Sequence, residues 1–331
     1  LNITNSAVEG ISLVNQPFLD RLDFSGCKRL KTVTIDSCDK ITELNLSNLG
    51  DLHTIRITSC PNLKSIICTN NVNLTTFNVS NCNNVEIINV SQCTNESLTV
   101  YIVGVPNIKE LNVSSTNTPN DIQVASSLPN LRTLNISNSQ VSAIQYGNAA
   151  IPTYKENKIF DISKLNLTSL SVQNAKGVHY FKFDNNRNTP FNVGGSFFVG
   201  CSNLKRVFGH IKLNGTSIFA QCGSFYIHEP KEKVEGITPN YNGEWFGSDT
   251  STTEGKTAWD NNTDLGTNFT IGTTNCTSMF TATNCSIYDV YYFLYKCDNV
   301  TTLDSCFASA KNVKWDLLDS PNRDMFNHCT K

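Results

Sequence analysis

The sequence predicts a β-rich, right-handed solenoid whose coils each take about 22–23 residues and carry two short strands. Three observations predict it. First, an apolar-x-x-apolar-x-apolar-x-x-Cys/Asn template recurs at a constant eleven-position interval through seven consecutive units, from Leu19, Leu22, Phe24 and Cys27 to Val85, Ile88, Val90 and Cys93. The last two apolar positions of a unit are two apart, the period of a strand, and the first sits three earlier, where the chain bends. Second, Pro-Asn followed by Leu or Ile recurs at Pro61, Pro106 and Pro129. The interval from Pro61 to Pro106 is two coils, and that from Pro106 to Pro129 is one. A single eleven-position unit is too short to close around a packed interior, so a coil is two unlike halves of 11. Third, Asn, Ser and Thr are abundant, and they favour turns, caps and exposed strand positions over helices.

The elements follow in order. Residues 1–18 read as an opening cap or the end of a preceding coil. Residues 19–222 read as the solenoid. Its regular part reaches residue 146, and "GNAAIPTYKENKIFDI" at 147–162 breaks the template as an insertion. From residue 163 the coils resume, longer and richer in Phe, as in Val178, Phe181, Phe183 and Asn186. Residues 223–275 fit no repeat and hold Gly-rich and Thr-rich runs around Tyr241, Trp245, Phe246 and Trp259. Such an excursion from a solenoid is usually a loop on one face, often a functional one. Residues 276–331 return to Cys/Phe coils. The start at Leu1, without Met or a charged leader, reads as that of a mature chain or a cut-out fragment, and the abrupt end at Lys331 leaves room for a following module.

The unit Leu19-x-x-Leu22-x-Phe24-x-x-Cys27 resembles the leucine-rich-repeat signature LxxLxLxxN/C. The stretch "SIICTNNVNLTTFNVSNC", Ser65 to Cys82, is similar to the Asn/Ser-rich repeats of Bacteroidetes surface proteins. The second half resembles the related BspA-like repeats, in which apolar-Phe-x-x-Cys precedes a strand. Here it reads Phe197-Phe198-Val199-Gly200-Cys201, Ile218-Phe219-Ala220-Gln221-Cys222 and Met325-Phe326-Asn327-His328-Cys329. The resemblance implies a leucine-rich-repeat scaffold, a fold that hosts many different binding functions.

Composition excludes several function classes. A net charge of −2 gives no basic footprint for nucleic acid. No run of apolar residues is long enough to span a membrane. No C-x-x-C or H-E-x-x-H metal motif occurs, and the five His are scattered. No G-x-S-x-G elbow or paired-carboxylate pattern appears. The chain is therefore expected to be no enzyme and to carry no metal or cofactor.

The 13 cysteines are too many, and odd in number, for a simple disulfide framework. Cys38, Cys60 and Cys82 fall one per coil and should stack on one another. Cys27 and Cys93 belong to the other half-coil, on a ladder shared with Leu49, Asn71, Thr116 and Ser139. Leu and Thr at equivalent sites need no thiol, so these cysteines read as small buried residues with free thiols. The nine-residue spacings of Cys276/Cys285 and Cys297/Cys306 are the better disulfide candidates. Asn-x-Ser/Thr triplets, for example at Asn78, Asn112, Asn135 and Asn268, read as products of the composition.

The function expected is a non-enzymatic interaction protein at the cell surface or outside the cell, an adhesion or recognition scaffold for a protein or glycan. One alternative is a structural or receptor-binding component of a phage virion infecting gut Bacteroidetes. Another is a carbohydrate-binding module that uses Tyr241, Trp245, Phe246 and Trp259 as an aromatic platform.

Overall fold

The computed structural model of the chain describes residues 1, 3–118, 122–124, 128–146, 159–162, 165, 167–183, 190–204, 206–223, 267–283 and 300–309. The chain forms two compact units. The first comprises Leu1–Ile151 with Lys164–Gly177, and the second comprises Pro152–Ser163 with Val178–Lys331.

In the first unit, strands alternate between two parallel sheets, as expected if one coil is two half-repeats. A wide sheet takes β1 (Gly10–Val14), β2 (Thr32–Asp36), β4 (Thr54–Thr58), β6 (Thr76–Ser80), β8 (Thr99–Val103), β10 (Ile122–Val124) and β12 (Ile144–Tyr146). A narrow sheet takes β3 (Glu43–Asn45), β5 (Ser65–Ile67), β7 (Ile87–Asn89), β9 (Glu110–Asn112), β11 (Thr133–Asn135) and β14 (Ser169–Ser171). The register advances one coil per strand: Val33 faces Ile55, which faces Phe77, which faces Val100. Residues ahead of Leu19 form a coil of the same kind. β1 pairs in register with β2, and the Asn5 N–H donates to the Ser25 carbonyl at 2.8 Å. The narrow sheet skips the 147–162 segment: Thr133 on β11 faces Ser169 on β14, beyond the coil spacing of its other strands.

The template residues point inward. In one coil Leu52, Ile55, Ile57, Cys60, Leu63, Ile66 and Cys68 are each fully buried. Burying such a side chain contributes about 1.5–3 kcal/mol. A lone coil would leave these side chains exposed on its two open sides, so stacking is what makes the burial complete.

Between strands the chain must turn sharply, and one backbone conformation does this at every corner. The residue just before the ladder position is left-handed at Ser37, Ser59, Asn81 and Gly104 on one half-coil. On the other half-coil it is left-handed at Gly26, Asn48, Asn70, Gln92, Ser115 and Asn138. Gly adopts this region without cost, and Asn and Ser side chains can bond locally there. The corner does not interrupt stacking. Ser59 N–H donates to the Ser80 carbonyl at 3.0 Å and Asn70 N–H to the Ser91 carbonyl at 3.1 Å, one coil on. A turn then follows, closed by the Leu30 N–H on the Cys27 carbonyl at 3.0 Å and by its equivalents.

In the second unit, β15 (Tyr180–Lys182) and β16 (Phe191–Gly194) both pair with β17 (Arg206–Asn214), β13 (Ile159–Asp161) pairs with β15, and β18 (Thr267–Ile271) pairs with β17. These pairings too are parallel. Its coils stack on phenylalanine. Ring centroids of Phe160, Phe181, Phe198, Phe219, Phe280 and Phe307 follow one another at 5.4, 5.5, 5.5, 5.5 and 5.1 Å. The Phe-x-x-Cys motif is a turn: the Cys201 N–H donates to the Phe198 carbonyl at 3.1 Å, and the Cys222 N–H to the Phe219 carbonyl at 3.2 Å.

Candidate interaction surface

The ladder position is a small buried corner beside a backbone carbonyl. Cys93 Sγ lies 3.1 Å from the Cys68 carbonyl, and Cys60 Sγ lies 3.3 Å from the Thr58 carbonyl. Thr116 and Ser139 hydroxyls donate at the same place to the Val113 and Ile136 carbonyls, at 2.9 and 2.6 Å. Asn71, fully buried, donates to the Leu46 carbonyl at 2.7 Å and accepts the Leu49 N–H at 2.8 Å. Thiol, hydroxyl and amide each supply a donor at this corner, and Leu49 fills it with none. Cys27, Cys38, Cys60, Cys82 and Cys93 are buried free thiols. Burial pushes the Cys222 thiol well above its usual range and Cys276 up to about 11, so neither is a thiolate at neutral pH. The nine-residue spacings single out Cys276 and Cys306, of which Cys276 carries a free thiol. Their would-be partners, Cys285 and Cys297, lie outside the described residues.

The two faces of the first unit differ in what their outward side chains do. On the narrow face, the Asn that ends β3, β7, β9 and β11 folds back onto the chain. Asn45, Asn89, Asn112 and Asn135 Oδ1 accept the N–H of Ser47, Ser91, Ser114 and Ser137 at 3.1, 3.0, 3.0 and 3.0 Å. This is an Asx turn, in which the side chain imitates a backbone carbonyl. The Asn-x-Ser triplets at Asn112 and Asn135 are therefore turn-builders, sharing their role with Asn45 and Asn89, a cause that composition alone did not reveal. A second amide column ties the turns together. Asn62, Asn84 and Asn107 Nδ2 donate to the carbonyls of Asp39, Pro61 and Asn83 at 2.8, 2.7 and 2.9 Å. The Pro-Asn marker thus recurs because its Asn bridges to the coil before.

The wide face is not engaged in this way. On β2, β4, β6 and β8 the residues alternate between buried positions and outward ones that are exposed or half-buried. Thr32, Thr54, Thr76 and Thr99 form one in-register rank, and Thr34, Arg56, Asn78 and Tyr101 form the next. Asp36, Thr58, Ser80 and Val103 form the third. Few of these side chains bond back to the fold. Thr58 and Ser80 hydroxyls meet at 3.2 Å, the Thr99 hydroxyl reaches the Thr75 carbonyl at 3.1 Å, and Asp36 accepts from Ser37 at 3.0 Å. The result is a regular, mostly polar surface of exposed and half-buried side chains, most of whose donors and acceptors the fold leaves unused.

Tyr241, Trp245, Phe246 and Trp259, the residues the sequence singled out for binding, lie outside the described residues. The wide face did not stand out in the sequence because its residues look like ordinary strand formers. The signal that could have found it is the Thr that stands directly ahead of Val33, Ile55, Phe77 and Val100. Among the described residues no three or more His, Cys, Asp or Glu come together as a metal site. No helix there is long and apolar enough to cross a membrane.

Comparison with known proteins bears on the fold. The leucine-rich-repeat domain described as At1g61320/AtMIF1, LRR domain, matches residues 2–180. A solved leucine-rich repeat protein from Bacteroides ovatus ATCC 8483 is 19% identical, with 62% of this chain and 62% of that chain covered and a TM-score of 0.22. The chain thus spans under two thirds of that protein's length. No curated protein matches the chain.

Proposed function

The chain belongs to the leucine-rich-repeat family that matches it over residues 2–180, and from that premise we propose that it is a non-enzymatic recognition scaffold acting outside the cell, with the wide face as its contact surface. The observation that carries this reading is the division of labour between the two faces. Narrow-face Asn side chains close turns, while wide-face side chains leave most of their hydrogen-bonding groups to solvent. A rigid stack of parallel strands holds those groups in fixed rows, so a partner meets a surface that loses little freedom on binding. The leucine-rich-repeat fold supports an interaction role in general. The extracellular setting draws on the likeness of its Asn/Ser-rich repeats to those of surface proteins.

Two experiments test the reading. Antibody raised against the full chain should stain intact, non-permeabilised producing cells, and staining only after permeabilisation would move the protein inside. A photo-crosslinker carried on Thr54→Cys should trap the partner, whereas the same reagent on Glu43→Cys, on the narrow face, should not. Equal trapping from both faces would contradict the assignment.

A further inference from the structure

The chemistry of the wide face narrows what it recognises, on the reading that this face is the contact surface. We propose that its ligand is an uncharged glycan chain, held on the threonine ranks with Tyr101 as the stacking platform.

Twelve outward side chains on β2, β4, β6 and β8 define the surface, and six of them are Thr. The others include one Ser, one Asn and one Tyr, all bearing hydroxyl or amide groups. Asp36 and Arg56 are the two charged members, and their formal charges cancel. Neutrality with dense hydrogen bonding suits a polyol and disfavours a polyanion, which needs clustered Arg and Lys.

Geometry points the same way. Parallel strands about 4.8 Å apart repeat Thr32, Thr54, Thr76 and Thr99 along a line of about 14 Å. Outward positions on one strand are about 6.6 Å apart. The surface is thus a lattice of hydroxyls whose shorter repeat is close to the length of one pyranose unit. A chain of several sugars laid across the strands meets an equivalent threonine at each step. Tyr101 ends the middle rank with a half-buried aromatic ring, and an aromatic ring suits the apolar side of a sugar ring.

A protein partner fits less well. Protein interfaces bind through buried aromatic and Arg anchors in an apolar centre, and Ser, Thr and Val are under-represented among the residues that carry the energy. This surface is mostly of the second kind.

The test is affinity electrophoresis of the full chain through gels containing neutral glucan, mannan, galactan or xylan, with polygalacturonate as the acidic counterpart. At least one neutral polymer should retard the protein, and polygalacturonate should not. Tyr101→Ala should weaken the retardation about tenfold, the scale of losing one stacking contact, and Thr76→Glu, which sets a charged side chain in the threonine rank, should weaken it by about as much. Tyr101→Phe should retain it, and Glu43→Gln on the narrow face should leave it unchanged. Circular dichroism of each variant establishes that the fold persists. Retardation that survives both Tyr101→Ala and Thr76→Glu, or that disappears instead with Trp245→Ala, would overturn the proposal. So would retardation by polygalacturonate alone. If no neutral polymer retards the chain while the Thr54→Cys crosslinker traps a protein, the wide-face reading stands and the glycan assignment falls. If neither occurs, both fall.

Discussion

At the residue scale the decisive positions are small and polar. Ser59 sits at a φ of 52° and Asn70 at 58°, a region that costs a β-branched residue dearly. Ser59→Gly should leave stability within a few tenths of a kcal/mol, because removing the Cβ relieves the corner while loosening the unfolded chain. Ser59→Val should destabilise by about 1–3 kcal/mol, and urea unfolding of the two variants checks the difference. On the narrow face, Asn112→Ala removes the acceptor for the Ser114 N–H and should cost about 1 kcal/mol. Asn112→Asp keeps an acceptor oxygen and should cost less in the same assay. These corners were the part of the fold that the sequence hid. The apolar template was legible because buried side chains repeat with a fixed period. The residue before each ladder position, always Gly, Ser, Asn or Gln between Gly26 and Asn138, repeats as faithfully. In an Asn- and Ser-rich chain it blends into the background, and only its backbone angle sets it apart.

At the scale of the element, the cysteine ladder and the phenylalanine stack do the same work in the two units. Each puts one side-chain type at equivalent positions of successive coils. Half a coil of sequence separates Cys82 from Cys93, and the structure places them on opposite halves of a coil: Cys82 follows the wide strand β6 and Cys93 follows the narrow strand β7. Phe219 is buried and stacked on both sides, by Phe198 and Phe280 at 5.5 Å each. Phe219→Ala should destabilise the second unit by about 3–5 kcal/mol, read as a lowered unfolding midpoint. Cys276 and Cys222 add a pH dependence of one sign. Burial raises Cys276 from 9.0 to about 11 in the folded protein, and Cys222 is raised as well. Above pH 9 the unfolded chain therefore releases protons that the folded chain keeps. Stability from these groups is complete below about pH 9 and declines as pH rises toward 11. Urea midpoints measured from about pH 8 to 11 should fall, and Cys276→Ala should flatten part of that fall.

At the scale of the whole molecule, fold and function were legible to different degrees. Coil length followed from Pro61, Pro106 and Pro129, because a solenoid repeats one physical problem many times and solves it with the same residues. The wide face carries a periodic mark too, the Thr ahead of Val33, Ile55, Phe77 and Val100, but Thr is an ordinary strand residue and does not by itself point to a partner. The aromatic residues at 241–259 drew attention because Trp is rare, whereas the wide face is made of residues every strand can use. Its case rests on comparing two faces of one coil, which requires the strands to be in place. The central claim is that the narrow face holds the fold while the wide face holds the partner. The most direct measurement pairs urea unfolding with polysaccharide retardation for two variants, Asn112→Ala and Thr76→Glu. Asn112→Ala should lower stability by about 1 kcal/mol and leave binding unchanged, while Thr76→Glu should weaken binding about tenfold and leave the unfolding midpoint in place. Stability lost with Thr76→Glu, or binding lost with Asn112→Ala, would contradict the account.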